Sequence, residues 1–302
     1  MPRLILMIAF LASGLALGWN AYAAEALRFI HSRSVYADDR GAALNHPEGV
    51  ACGGSGSTVI VADTRNGRLV RYALSAEVLT GGSQIKVPQV HSPVLVHISS
   101  NGDILVLDGK LRRVFRLSAE GAFLGAVEPK GVPTGSVVPK SFAMDREDRV
   151  YFLDNFSRRV VVTDPSGIYQ REIPFPEKFG FFSDVAVDAR GTLFLLDSVA
   201  GSLYAADKTA NAFSLLTKEL KEYASFPTHV TVDGKGTIYV VDQNGGGVLI
   251  IGQDGAFRGR QLAIGWKEGL LYYPSQMCVS GGEVAVIADR ENSRVQVYKL
   301  LR

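Results

Sequence analysis

The feature that most constrains this chain is a motif repeated six times along it. In its clearest copy, Phe226 to Ile251, an aromatic-Pro pair leads into an alternating run that ends at Asp233. A Gly turn follows, then a second run, Thr237–Val241, closed by Asp242, then a Gly-rich loop and a third run, Val248–Ile251. Apolar residues at every second position, broken by Asp and Gly, predict short antiparallel strands joined by tight turns. The Asp closing the second run recurs as Asp63, Asp108, Asp154, Asp197, Asp242 and Asp289, at spacings of 45, 46, 43, 45 and 47 residues. A period of that size, with four strands per unit, predicts an all-β, six-bladed β-propeller of four-stranded antiparallel blades.

Composition narrows what such a ring does. The 302 residues carry 32 Lys and Arg against 30 Asp and Glu, so no bulk charge draws the chain to nucleic acid or to a membrane. Leu4–Leu17 is apolar, preceded by Arg3 and followed by Asn20-Ala21-Tyr22-Ala23. A basic start, a short apolar core and an A-x-A site predict an export signal over residues 1–23, since the stretch falls short of the roughly 20 residues of a membrane span. The propeller is then residues 24–302, expected as a monomer in the periplasm or outside the cell.

Two further features concern closure of the ring. Cys52 and Cys278 fall in the first runs of blades 1 and 6, which are neighbours in a ring; a ring-closing disulfide and two buried thiols both stay open. Leu27–Ser34 reads as a strand, while the last repeat ends after its third run, Arg294–Leu301. Placing the first strand on the outside of the last blade removes an unpaired edge.

The pattern Pro-x-x-apolar-Ala-apolar-Asp, then Gly-x-apolar-Tyr-Val-x-Asp, then Asn-x-Arg-apolar-x-apolar resembles the NHL repeat family. Pro139–Asp145, Arg149–Asp154 and Asn155–Val162 carry the likeness in blade 3, and Gly67–Tyr72 and Asp289–Tyr298 carry it in blades 1 and 6. The resemblance implies six blades. It also implies relatives that include metal-dependent lactonases and an amidating lyase, with ligands at the mouth of the central channel. Some similar propellers bind RNA, a role that export disfavours here.

Function is expected where the repeats differ, because what all six share serves the ring. The repeated Asp is read as a turn-closing acceptor, and Arg68, Arg113, Arg159 and Arg294 as its packing and charge partners. On the face carrying the loops after the second strands stand Arg65, Lys110, Arg112, Arg158 and Arg290, whereas Ser198–Ser202 and Gln243–Gly247 in blades 4 and 5 lack charge. With Trp266 as an aromatic anchor, this rim predicts a non-catalytic, cofactor-free binding or scaffolding module for a protein, peptide or anionic surface. The alternative is a metal-dependent lactonase- or lyase-like enzyme. Glu48, Asp184, His229 and Gln276 reach the channel mouth, an oxygen-rich set suiting Ca²⁺ better than Zn²⁺. No H-E-x-x-H, C-x-x-C, G-x-S-x-G or P-loop accompanies them. The channel as a small-molecule pocket is a third expectation.

Overall fold

The computed structural model describes residues 27–53 and 57–302; the expected export signal lies outside the described residues. Six sheets of four antiparallel strands stand in a ring. The inner strands are Pro47–Cys52, Pro93–Ile98, Ser141–Met144, Phe182–Val187, Pro227–Val232 and Pro274–Ser280. Among the described residues no helix is long and apolar enough to cross a membrane.

The alternation expected of every strand is weakest in the second ones. Ile104–Asp108, Val150–Asp154, Leu193–Asp197 and Ile238–Asp242 are buried at each position. Both faces of a blade are covered by its neighbours, so these strands read as continuous apolar runs. The core is accordingly divided into clusters that lie between adjacent blades, such as Val59, Val61 and Val70 against Val286, Val295 and Val297.

Closure takes the form expected. Arg28–Val35 pairs antiparallel with Arg294–Leu301, from Arg28 opposite Leu301 to Val35 opposite Val295. Phe29 buries its ring against Tyr239 and Tyr298, with centroids 6.2 and 6.0 Å away. Cys52 and Cys278 form a disulfide with their Cα atoms 5.7 Å apart, tying the inner strand of blade 1 to that of blade 6. The connector leaving blade 4 forms one helical turn, Leu220–Tyr223, with Leu220 buried.

All six repeat aspartates are fully buried, and all but Asp154, which among the described residues accepts only from Ser157 in its own turn, knit that turn to the preceding connector. Asp108 accepts from the backbone N–H groups of His91, Ser92, Lys110 and Leu111. Asp197 accepts likewise from Gly180, Phe181, Val199 and Ala200. Burial works against the Asp108 carboxylate, but its four amide donors outweigh it and hold the pKa below the ordinary value. The repeat arginines follow the expectation in three blades. Arg68 and Arg294 pair with Asp63 at 2.7 Å and Asp289 at 2.6 Å, and Arg159 stands 3.6 Å from Asp154. Arg113 departs: it is exposed and reaches Glu128 at 3.4 Å instead.

Candidate functional site

The axis carries a continuous girdle of side-chain bonds between the inner strands. His97 in blade 2 meets the Phe142 carbonyl in blade 3 through Nε2 at 3.1 Å. The Ser141 hydroxyl donates to Asp184 Oδ1 in blade 4. Asp184 Oδ2 accepts from the Val230 N–H at 2.9 Å and faces His229 Nδ1 at 2.6 Å, both in blade 5. His229 Nε2 stands 3.1 Å from the Met277 carbonyl in blade 6. Gln276 Oε1 accepts from Val50 of blade 1 at 2.9 Å and from Val96 of blade 2 at 3.3 Å, and its amide donates to the Val96 carbonyl.

This girdle bears directly on the metal-ligand set. Both ring nitrogens of His229 face oxygen atoms of the girdle, so neither points into open space. Asp184 has donors on both oxygens, and burial, which would raise its pKa, is outweighed by His229 and by these hydrogen bonds. Ser141 and His229 flank Asp184 rather than each other, so no hydroxyl–imidazole nucleophile is assembled. Gln276 is likewise engaged on both its oxygen and its nitrogen. Three of the four residues are thus brought to the axis with their donor capacity already used. Among the described residues no group of three or more His, Cys, Asp or Glu side chains is arranged to hold a metal ion.

Above the girdle opens a cavity of about 280 Å³ whose lining includes Glu48, Arg112, Lys140, Thr228, Ser275 and Gln276. Glu48 is the candidate ligand that differs from the rest. Its backbone carbonyl takes the Ser275 hydroxyl at 2.6 Å, but no cation lies within ion-pair distance of its carboxyl among the described residues. Burial raises its pKa, against the pull of Arg290 and Lys140. The Thr228 hydroxyl is buried beside the cavity with no hydrogen-bond partner. Below the girdle, a second cavity of about 230 Å³ is lined by Cys52, His97, Asp184, His229 and Cys278. Burial lowers the His97 pKa to about 4.

The rim divides the predicted binding residues. Arg65, Lys110, Arg112 and Arg158 are exposed, and among the described residues none meets a carboxylate within ion-pair distance. Arg158 instead lies over the Phe179 ring, 5.9 Å from its centroid. Arg290 behaves otherwise. It is only partly exposed, pairs with Glu291 at 3.2 Å and stacks 5.8 Å above Tyr273, so its charge is neutralised locally. Trp266 is 74% exposed and edge-on to Tyr272 at 5.8 Å.

Two rim features escape a reading of composition. Phe156 is 86% exposed in the blade 3 turn, with Leu111 and Val199 exposed in the turns of blades 2 and 4. More informative is the fourth residue after each repeat Asp, which has positive φ in every blade: Gly67 60°, Arg112 51°, Arg158 56°, Gly201 64°, Gly246 61° and Ser293 50°. Aligning the turns by their Asp exposes the two arginines at a glycine position, a signal present in the sequence.

No family model matches the chain, so the NHL resemblance rests on the repeat residues alone. No curated protein matches it either. Solved structures do. Virginiamycin B lyase from Staphylococcus aureus superposes with a TM-score of 0.63 at 12% identity, over 91% of this chain and 100% of that one. A protein assigned as a gluconolactonase gives 0.66 at 15%, over 91% and 92%. A chain of a nidogen/laminin complex gives 0.62 at 15%, over 82% and 96%. Enzymes and a protein-binding module thus share this architecture, and at these identities the likeness establishes the six-bladed fold.

Proposed function

We propose that this chain is a binding propeller that holds a protein partner on the rim of blades 1 to 3. The observation that carries the reading is the pair Arg112 and Arg158. Each keeps a long exposed cation in a left-handed backbone conformation that blades 1, 4 and 5 give to glycine. A non-glycine residue there costs on the order of 1 kcal/mol, and such strain persists where function retains it. Exposed Phe156 and Leu111 beside unpaired cations supply the aromatic and apolar contacts that anchor interfaces. The rigid ring presents these groups with little ordering cost. The disulfide supports an exported setting, since such bonds persist in oxidising compartments.

The test is capture from the envelope fraction by the immobilised protein. Replacing Arg112 and Arg158 by Glu, with Phe156→Ala, should abolish a partner that the wild type retains, while the melting temperature stays nearly constant. Undiminished capture by the triple variant would sink the reading.

One observation favours a second reading, acid–base chemistry at the channel mouth. The Glu48 carboxyl stands unpaired in a cavity with Lys140 nearby, and burial raises its pKa, the direction a general acid needs. The enzyme names of two structural neighbours support this reading. Asp184, His229 and Gln276, committed to the girdle, do not fit a metal ion at this mouth. Turnover of a lactone probe that disappears in Glu48→Gln would favour it; no turnover by the wild type would dismiss it.

A further inference from the structure

The mouth cavity does not end at the axis. It shares Arg112 and Pro139 with a second cavity of about 450 Å³ between blades 2 and 3, lined by Lys110, Leu111, Val114, Val127, Val137 and Phe152 among others. Meeting at these two residues, they make a trough that leads from the channel mouth toward Val127 and Glu128, just past the fourth strand of blade 2. Its inner end offers the buried, partnerless Thr228 hydroxyl and the Glu48 carboxyl. The outer end carries the exposed Arg113–Glu128 pair.

We infer that this trough binds an extended peptide segment in which acidic and apolar residues alternate. The inference rests on the partner reading above and names the part of the partner that is held. Charge complementarity specifies the acidic residues: Lys110, Arg112 and Lys140 stand along the trough with no carboxylate within ion-pair distance among the described residues. The apolar residues are specified by Leu111, which is 47% exposed, and by half-buried Val127 and Val137, which make the apolar wall of the outer cavity. A β-like segment sends successive side chains to opposite sides, which suits a lining that offers both cations and apolar surface. A polyanion has no use for that wall. Thr228 and Glu48 serve the backbone polar groups of the segment, which must find partners once desolvated.

Panning a phage library of short random peptides on the folded protein tests this. Selected sequences should alternate acidic with apolar residues. A labelled representative should bind about tenfold more weakly to Arg112→Gln, and again to Lys140→Gln, the loss expected of one charge-assisted contact each. Lys235→Gln, exposed in a blade 5 turn and outside both cavities, should leave binding unchanged. Failure to enrich any sequence, selection of basic or uncharged ones, equal loss in Lys235→Gln, or displacement of the peptide by inorganic polyphosphate would overturn the assignment. Envelope capture that persists while panning fails would sink the trough alone. Selection as expected with no envelope capture would uphold the trough and sink the partner reading.

Discussion

At the axis, Asp184 accepts from three donors and His229 uses both ring nitrogens, whereas on the rim of blades 2 and 3 Lys110, Arg112 and Arg158 face water. The residue types overlap, and their surroundings separate them. An inner strand has a neighbour on each side, so a polar group there must be satisfied by an adjacent blade or destabilise the ring. The turns on the rim obey another constraint. A Cβ on Gly246 would stand 2.5 Å from the Ile264 Cα, and one on Gly201 2.3 Å from the Lys221 side chain. Where a connector lies against the turn, glycine is imposed. In blades 2 and 3 the same turn position holds an arginine, Arg112 and Arg158.

The contrast is sharpest in a pair of substitutions. Asp184→Ala removes at one stroke the buried partner of Ser141, Val230 and His229 and should cost about 3–5 kcal/mol in denaturant unfolding. Arg112→Gln should stay within about 0.5 kcal/mol of wild type; similar losses for the two would erase the distinction between axis and rim. Next in size is the disulfide beneath the girdle. Cys52→Ser frees a closed loop of 226 residues and should lower stability by about 2–4 kcal/mol. Addition of reductant to the wild type should reproduce that loss.

A smaller effect appears on acidification. His97 is neutral in the fold, its pKa lowered by burial to about 4 from 6.5. The unfolded chain therefore takes up the proton first. This contribution is complete above pH 6.5 and is lost as pH falls toward 4, by on the order of 3 kcal/mol at most. His97→Phe should flatten that limb of the pH–stability curve. A second loss belongs to Asp108 and Asp184, whose lowered pKa values place it below the ordinary carboxylate value. The smallest effect has the opposite sign. Arg112→Gly and Arg158→Gly should each raise stability by about 0.5–1 kcal/mol through relief of backbone strain, and Arg112→Gly alone should also weaken peptide binding. No gain in stability would mean that the turns carry no strain.

Much of the scaffold was legible because the ring repeats. The Asp period fixed blade number, and the missing fourth run after Leu301 pointed to Leu27–Ser34 as its replacement. The chemistry at the axis was not legible for a physical reason. His229, Asp184 and Gln276 lie at corresponding inner-strand positions, but Asp184 and His229 pair with each other across blades, and the remaining partners are a hydroxyl and backbone groups of other blades, which no local spacing encodes. The residues that suggested metal ligands therefore proved to be ties between strands. On the rim, counting charges placed Arg290 with Arg112, although Glu291 beside it in sequence is its ion-pair partner. Phe156 was passed over because a lone aromatic in a polar turn shows no periodicity.

The pairing of Arg28–Val35 with Arg294–Leu301 also sets a schedule. Arg28–Val35 has no partner until Arg294–Leu301 has been made, so the ring stays open until both strands exist and the sixth blade waits on the later one. Such long sequence separation predicts late, slow closure. A chain lacking Arg294–Leu301 should remain protease-sensitive at Arg28–Val35.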